Sequence, residues 1–230
     1  MQKLIKMENE IVNLLKVKSS TKQNIYSITK SVFSDFQKTL QEKAKIINKQ
    51  LSEQQKKIHV EYSSSGKFEA QIKFSGDTLL FHMHSNVFDF PSTHSIHKTK
   101  YVKDDIMRSF CGVIHVYNFL SDSLRYNRLN DSGFLVARIF VNKEKHFFVE
   151  GDKQIGYLFN DFINQEIDFK QINSIIDVLM LYALNFDLQV PNFNDVREVS
   201  VHHVLNMNNN QKIKTAKRVG YKFSFETNNE

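Results

Sequence analysis

Residues 111–150 read CGVIHVYNFL SDSLRYNRLN DSGFLVARIF VNKEKHFFVE and contain two apolar runs separated by a short polar segment. The runs at 112–119 and 134–142 are rich in β-branched and aromatic residues, which are typical of strands. Lys143 and the two residues after it predict a turn into another strand at 146–150, which ends before Gly151. The pattern therefore predicts three antiparallel strands, with a short helix at about 121–130 inserted between the first two.

The sequence before this stretch alternates with a period of two, as expected of a half-buried strand. In residues 67–74, KFEAQIKF, the apolar side chains of Phe68, Ala70, Ile72 and Phe74 share one face. Turn-forming residues at 63–66 and 75–77 separate this run from neighbouring strands at about 58–63 and 78–85. The sequence thus predicts an α+β fold, with a roughly six-stranded antiparallel sheet flanked by helices.

Apolar residues at three- and four-residue steps predict a long N-terminal helical arm. Helices are expected at 2–18 and about 21–56, with an interruption at 19–21, where Ser20 and Gln23 have the spacing of a capping box. The apolar stripe of the second helix consists of Ile25, Ile28, Val32, Phe36, Leu40, Ile47 and Leu51. Such a stripe is covered either by the rest of the chain or by self-association, as an antiparallel or coiled-coil pair. The sequence leaves both alternatives open.

The pattern divides the chain into three regions. Residues 1–57 are expected to form the basic arm, 58–152 the sheet with its inserted helix, and 153–230 a helical segment of the same globular unit. A polar loop with a short helical turn is expected at 91–107. Helices are expected at about 153–187 and from Asn194 to about Met207, and residues 212–225 predict a closing basic hairpin or strand.

Composition limits the location of the protein. The chain has no apolar run of about 18 residues, so no membrane-spanning helix is expected, and its charged N-terminus does not resemble a secretory signal. The one cysteine, Cys111, follows Phe110 and opens an apolar run, so we interpret it as a small buried residue. A single cysteine fits a reducing compartment, and a cytoplasmic protein is therefore expected.

The segment between the two central strands is dense in polar and charged residues, and the following strand contains an arginine. The candidate ligand-binding residues are Asn118, Asp122, Arg125, Asn127, Arg128, Asp131 and Arg138. One interpretation is an internal salt-bridge network that fixes the inserted helix on the sheet. The other is recognition of a planar or anionic ligand, because guanidinium groups match the geometry of carboxylate and phosphate. We expect from this cluster a non-catalytic binding or regulatory protein that also self-associates through residues 1–57.

Histidines provide a third hypothesis, a metal-dependent hydrolase or nuclease. His82 and His84 share the face of the predicted strand opposite Leu79 and Phe81, and His94 and His97 follow in the next loop. A catalytic zinc or iron site needs at least three protein ligands. No cysteine ligand and no carboxylate at a diagnostic spacing supplements the histidines, and no nucleophile elbow, phosphate loop or dinucleotide fingerprint is present. The sequence therefore favours a protein without metal, cofactor or catalytic activity.

Both ends of the chain are basic, which favours nucleic acid as an alternative partner. Residues 1–57 contain twelve lysines and five acidic residues, and residues 211–222 contain five basic residues and no acid. Residues 215–223, TAKRVGYKF, resemble the wing hairpin of the winged-helix domains of response regulators. The resemblance implies phosphate contacts by Lys217, Arg218 and Lys222, and the candidate nucleic-acid-binding residues are Lys212, Lys214, Lys217, Arg218 and Lys222. The alternative interpretation is an edge strand that lysines protect from aggregation.

Overall fold

The structure is a computed structural model that describes residues 2–51, 58–129, 131–190, 192–201 and 216–217. Six strands form one antiparallel sheet in sequential order, β1 to β6, and the predicted α+β class is confirmed. The strands are β1 Val60–Ser63, β2 Glu69–Phe74, β3 Asp77–Phe88, β4 Cys111–Leu120, β5 Phe134–Asn142 and β6 Phe147–Gly151. A separate two-stranded ladder pairs β7 Leu188–Gln189 with β8 Ala216–Lys217.

Seven α-helices occur in the described residues. They are α1 Gln2–Leu14, α2 Ser20–Gln50, α3 Lys100–Asp104, α4 Ser121–Arg125, α5 Lys153–Leu158, α6 Phe169–Leu184 and α7 Phe193–Val196. None of the helices that the structure describes is long and apolar enough to cross a bilayer.

Three of the expected helices differ from the structure. The inserted helix expected at 121–130 ends at Arg125, because Asn127 adopts a φ of 50°, a left-handed conformation that asparagine tolerates. The helix expected at 153–187 is two helices, with a loop between Leu158 and Phe169. The helix expected from Asn194 ends at Val196, and its residues beyond 201 lie outside the described ones. Short α- and 3₁₀-helical turns, rather than one turn, occur in the loop expected at 91–107.

The N-terminal arm is one continuous helix, so the interruption expected at 19–21 is wrong. A π-helical turn at Leu15–Ser19 joins α1 to α2, and no side-chain cap forms at the junction. The expected capping box is absent because Ser19 and Ser20 have helical dihedral angles, with φ −70° and −61°. The helix ends at Gln50, and residues 52–56 of its expected range lie outside the described ones.

The sheet has one fully covered face. Helices α2 and α6 pack on it and form the main hydrophobic core with alternate residues of all six strands. Phe33, Phe36 and Leu40 of α2 are fully buried there, and Phe36 lies 5.8 Å from Phe81 of β3 between ring centroids. The stripe predicted on α2 is therefore covered by the chain itself.

Gly112 permits the close approach of α2 to β4. A methyl group on Gly112 would lie 2.1 Å from the hydroxyl oxygen of Thr29, a buried residue of α2. Only glycine leaves room for a helix at this distance.

The opposite face of the sheet is covered over only part of its area. Residues between β3 and β4 fold over the β3–β6 end and form a second, smaller core with Val113, Phe140 and Phe148. The remainder, here called the open face, presents half-buried side chains of β2 to β5 to solvent: Gln71, Lys73, Leu80, His82, His84, His115, Tyr117 and Arg138.

Candidate functional site

The candidate ligand-binding residues separate into four local arrangements. Asn118, at the end of β4, is buried, and its Nδ2 donates a hydrogen bond to Oδ1 of Asp77 at 3.1 Å. Its Oδ1 is buried without a hydrogen-bond partner among the described residues. This side chain belongs to the covered side of the sheet and supports the start of β3.

Asp131 and Arg128 close the loop after α4. Oδ2 of Asp131 accepts a hydrogen bond from the hydroxyl group of Ser123 at 2.7 Å and lies 3.9 Å from a guanidinium nitrogen of Arg128. The guanidinium group of Arg128 also stacks over Tyr126, with its centre 5.5 Å from the ring. These contacts fit the structural interpretation of the cluster, in which side chains hold the loop.

Arg138 lies on the open face and forms an ion pair with Glu150, its cross-strand neighbour on β6. Its guanidinium centre lies 5.5 Å from the ring of Phe140. The side chain remains 41% exposed, so the pair is accessible to solvent. Of the acidic residues near Arg138 in the sheet, Glu150 is therefore its ion-pair partner.

Arg125, Asp122 and Asn127 are exposed on or after α4. The guanidinium group of Arg125 contacts the ring of Tyr126 at 5.4 Å and forms no ion pair with any residue that the structure describes. Arg125 lines a pocket at one end of the sheet.

That pocket, here called the α4 groove, is an open cavity of about 570 Å³ between α4 and the β1–β3 end of the sheet. Its polar lining residues include Ser63, Gln71, Lys73, Thr78, Ser121 and Arg125. Nζ of Lys73 lies 3.4 Å from a carboxylate oxygen of Glu61, which also lines the groove. The hydroxyl groups of Thr78 and Ser121 are 3.0 Å apart and hydrogen-bonded. Arg125 therefore supplies a positive charge that no carboxylate of the described residues neutralises.

A row of ionisable side chains crosses the open face next to the groove. Its members pair directly from strand to strand, in the order Glu69, His82, His115, Arg138 and Glu150. The ring of His84 lies 6.2 Å from that of His115. Burial lowers the pKa of His115 below its ordinary value, and electrostatic interactions with His84, Arg138 and His82 lower it further. His115 was not among the candidate residues, although its alternation with Val113 and Tyr117 could have shown the shared face.

The loop histidines have structural contacts. Nδ1 of His94 accepts a hydrogen bond from the backbone nitrogen of Ile96 at 3.3 Å, and the ring of His94 stacks on Phe90. Nε2 of His97 lies 3.0 Å from the carbonyl oxygen of Phe90. Within the described residues, no group of three histidine, cysteine, aspartate or glutamate side chains could hold a metal ion.

Cys111 is fully buried at the start of β4. Burial raises the pKa of its thiol well above the ordinary range, so the reactive thiolate is disfavoured.

A second polar cluster, here called the Asn142 network, was not expected from the sequence. Nδ2 of the fully buried Asn142 donates to the hydroxyl oxygen of Tyr101 at 2.9 Å, and its Oδ1 accepts from the backbone nitrogens of Glu144 and His146. Tyr101 in turn donates to Glu144 at 2.7 Å, and Nε of Arg108 donates to the same carboxylate at 2.9 Å. The network joins the loop before β4 to the β5–β6 turn.

The network shifts the acidity of its members. Burial and the hydrogen bond to Glu144 raise the pKa of Tyr101 above its ordinary value. Burial also tends to raise the pKa of Glu144, but hydrogen bonds from Tyr101 and Arg108 outweigh it and lower that pKa. A hydrogen bond from Lys143 lowers the pKa of Asp105. Because its groups are paired with one another, we interpret this network as structural.

The candidate nucleic-acid-binding residues lie almost entirely outside the part of the chain that the structure describes. Lys212, Lys214, Arg218 and Lys222 lie outside the described residues, and only the backbone of Lys217 is described, in β8.

No protein-family model, no curated protein and no solved structure matches this chain. The contacts above are therefore the basis of the functional argument.

Proposed function

We propose that this protein is a non-catalytic, cytoplasmic binding protein that takes an anionic ligand in the α4 groove. The observation that supports the proposal is the position of Arg125, an exposed guanidinium group that lines a groove and has no ion-pair partner among the described residues. A cation without an internal partner is available to an outside anion, whereas Arg138 and Arg128 already contact carboxylates.

The lining of the groove supports a carboxylate or phosphate as the recognised group. Arginine binds either group with two parallel hydrogen bonds. The hydroxyl groups of Ser63, Thr78 and Ser121 and the amide group of Gln71 line the same cavity. One hydroxyl group of the Thr78–Ser121 pair donates to the other, and Nε2 of Gln71 donates to Glu69, so the pair and the amide each retain one further hydrogen for a ligand. Its volume of about 570 Å³ lies within the range of small-molecule sites.

Binding of defined anions tests this proposal. Calorimetric titration with inorganic phosphate, a tricarboxylate and a mononucleotide should show saturable binding of at least one probe. Arg125→Ala should weaken that binding by about tenfold or more, because a charge-assisted pair is lost. Arg125→Lys should recover only part of it, because lysine cannot form the paired hydrogen bonds.

Arg197→Ala provides the matched control, because Arg197 is an exposed arginine that does not line the groove. It should leave the affinity unchanged. Failure of all three probes to bind, or equal affinity in Arg125→Ala and the wild type, would contradict the proposal.

Self-association through the N-terminal residues 1–57 is the second part of the proposed function. It is supported by α1 and the following π turn, where every residue from 5 to 18 is exposed, including seven large apolar ones. Light scattering of the full-length protein at increasing concentration should show a mass above that of one chain.

A further inference from the structure

Two neighbouring imidazole rings of the open face, here called the histidine pair, have nitrogens without a partner. His82 of β3 and His115 of β4 lie directly opposite each other in the sheet, and both are half-buried. Neither ring forms a hydrogen bond or an ion pair with any residue that the structure describes, and their nitrogen atoms are not buried. His146 differs, because its Nδ1 lies 3.0 Å from the carbonyl oxygen of Phe162. The histidine pair is therefore available to an outside molecule.

The charged and titratable groups around the histidine pair come from all the strands packed beside it. They are Glu69 on β2, His84 on β3, Tyr117 on β4, Arg138 on β5 and Glu150 on β6. Glu150 forms an ion pair with Arg138. The carboxylate of Glu69 accepts a hydrogen bond from Nε2 of Gln71 at 2.9 Å, and it forms no ion pair with His82 among the described residues. Neither carboxylate is thus paired with an imidazole group.

His84 contributes a neutral donor rather than a charge. Its Nδ1 accepts a hydrogen bond from the backbone nitrogen of Asn86 at 3.0 Å, in the part of β3 where the register against β4 shifts. A ring nitrogen that accepts a hydrogen bond carries no proton, so the proton of this ring is on Nε2. Protonation of Nδ1 would break the bond to Asn86. His84 is therefore an N–H donor beside the histidine pair, with its ring 6.2 Å from that of His115.

The cross-strand row from Glu69 to Glu150 changes the sign of its charge with pH. With both imidazoles neutral, the row contains two carboxylates and one guanidinium group, a net charge of −1. Protonation of His82 and His115 adds two positive charges and gives +1. Histidine is the side chain that normally titrates between pH 5 and pH 8. Because burial and the neighbouring groups lower the pKa of His115 from its ordinary value of 6.5, its charge appears only in mild acid.

The positive part of the row is short. It covers β3, β4 and β5, and adjacent strands of a sheet are about 4.8 Å apart, so its width is about 10 Å. Carboxylates lie at both ends, Glu69 on β2 and Glu150 on β6. A polyanion that crossed the sheet would meet one of them, whereas a single small anion fits between them. The arrangement of charges therefore favours a small anion over nucleic acid.

We propose that the histidine pair is a proton-dependent binding site for a free oxyanion of the sulfate or phosphate class. The protonated rings of His82 and His115 donate hydrogen bonds to the anion. Arg138 contacts Glu150 through Nε and one terminal nitrogen, so its other terminal nitrogen adds a donor. At neutral pH the net charge of the row is negative and opposes the anion. The site is separate from the α4 groove, whose cation is Arg125, and it does not depend on the proposed function.

Binding of sulfate at two pH values tests the site, because sulfate keeps both of its charges between pH 5 and pH 8. Calorimetric titrations of the full-length protein, in chloride buffers of equal ionic strength, should give a dissociation constant at least about tenfold lower at pH 5 than at pH 8. His82→Gln and His115→Gln should each reduce that difference to less than about threefold, because glutamine keeps a donor but gains no proton. His59→Gln replaces an exposed histidine outside the row and is the matched control, which should keep the full difference.

Proton NMR of the imidazole groups locates the anion in the wild-type protein. An anion that binds the protonated ring must raise the pKa of that ring, because binding and protonation are linked. Sulfate at ten times its dissociation constant should therefore raise the pKa of His115 by about one pH unit. The resonances of His59, assigned with the His59→Gln variant, should not respond to sulfate.

The outcomes that would overturn the inference are distinct from those that test the α4 groove. Equal sulfate affinity at pH 5 and pH 8 would contradict a proton-dependent site. A pH dependence that survives both His82→Gln and His115→Gln would place the anion elsewhere. Acid-dependent binding that disappears in Arg125→Ala would place it in the groove. A single-stranded oligonucleotide that raises the pKa of His115 while sulfate does not would identify a polyanion as the ligand and would also overturn the inference.

Discussion

The Asn142 network and the α4 groove are both polar, but they differ in how their groups are paired. In the network, Asn142, Tyr101 and Glu144 bond to one another and to backbone groups, and the central amide is fully buried. In the groove, Arg125 is exposed and lacks an ion-pair partner among the described residues. The comparison teaches that the density of polar residues in a sequence does not distinguish a structural cluster from a binding site. The two are distinguished by whether each polar group is paired with another group of the fold.

The substitution with the largest expected effect on stability is at Asn142, in the network. Asn142→Ala removes a buried amide that donates to Tyr101 and accepts from the backbone nitrogens of Glu144 and His146, and it leaves those two nitrogens without this acceptor. We expect the free energy of unfolding in urea to fall by about 3 kcal/mol. Asn86→Ala, at an exposed position of β3, is the control and should have little effect. A loss below 1 kcal/mol for Asn142→Ala would mean that water replaces the amide.

Removal of one hydroxyl group from the network should have a smaller effect. Tyr101→Phe keeps the ring stacked on His146 but deletes the hydrogen bonds to Glu144 and Asn142. The expected loss of unfolding free energy is about 1–2 kcal/mol. Tyr157→Phe, at a 77% exposed position, controls for the general effect of losing a hydroxyl group. Equal free energies of unfolding in the two variants would contradict a stabilising role of the Tyr101 hydroxyl group in the network.

Lowering the pH from 5 to 3 should reduce the contribution of the Asn142 network to stability. The pKa values of Glu144 and Asp105 are lowered in the folded state, so their contribution to stability is present above their unfolded pKa values, near 4, and is lost as pH falls through the folded ones. The unfolding free energy, measured between pH 5 and pH 3, should therefore decrease with falling pH. Glu144→Gln should show a shallower decrease, and a slope identical to that of the wild type would contradict the assignment.

The substitution with the smallest expected effect on stability is in the α4 groove. Arg125→Ala removes an exposed side chain whose described contact is the ring of Tyr126, so the unfolding free energy should change by less than about 0.5 kcal/mol. The same urea titrations measure it. A loss above 1 kcal/mol would indicate that Arg125 is structural, and the contrast between groove and network would then fail.

The strands could be predicted from sequence because each carries a local signal. The alternation of Ala70, Ile72 and Phe74 and the turn after Asn142 depend on neighbouring residues only, and the sheet they predicted is confirmed. The helix ends were harder. Asn127 ends α4 through its backbone conformation, and the polar residues at 19–21 remain helical because α2 is held by packing on the sheet.

The partners of the polar residues could not be predicted. Tyr101 and Asn142 are separated by 41 positions, and Arg108 and Glu144 by 36, so no spacing in the sequence connects them. The cluster at 118–138 is contiguous in sequence, but the fold sends Asn118 to the covered side of the sheet and Arg138 to the open face. Sequence thus identified polar side chains, and only the fold showed which of them pair internally.

Because α1 continues into α2 without a break, the N-terminal arm extends from the sheet as helix rather than as a flexible linker. Residues 5–18 span about 20 Å at the helical rise per residue. The same helix first packs on the core at Ile25, which is fully buried. A partner bound to residues 5–18 would therefore be held about one arm length away from the sheet, and in a self-associated pair the separation of the two α4 grooves would depend on the length of this helix.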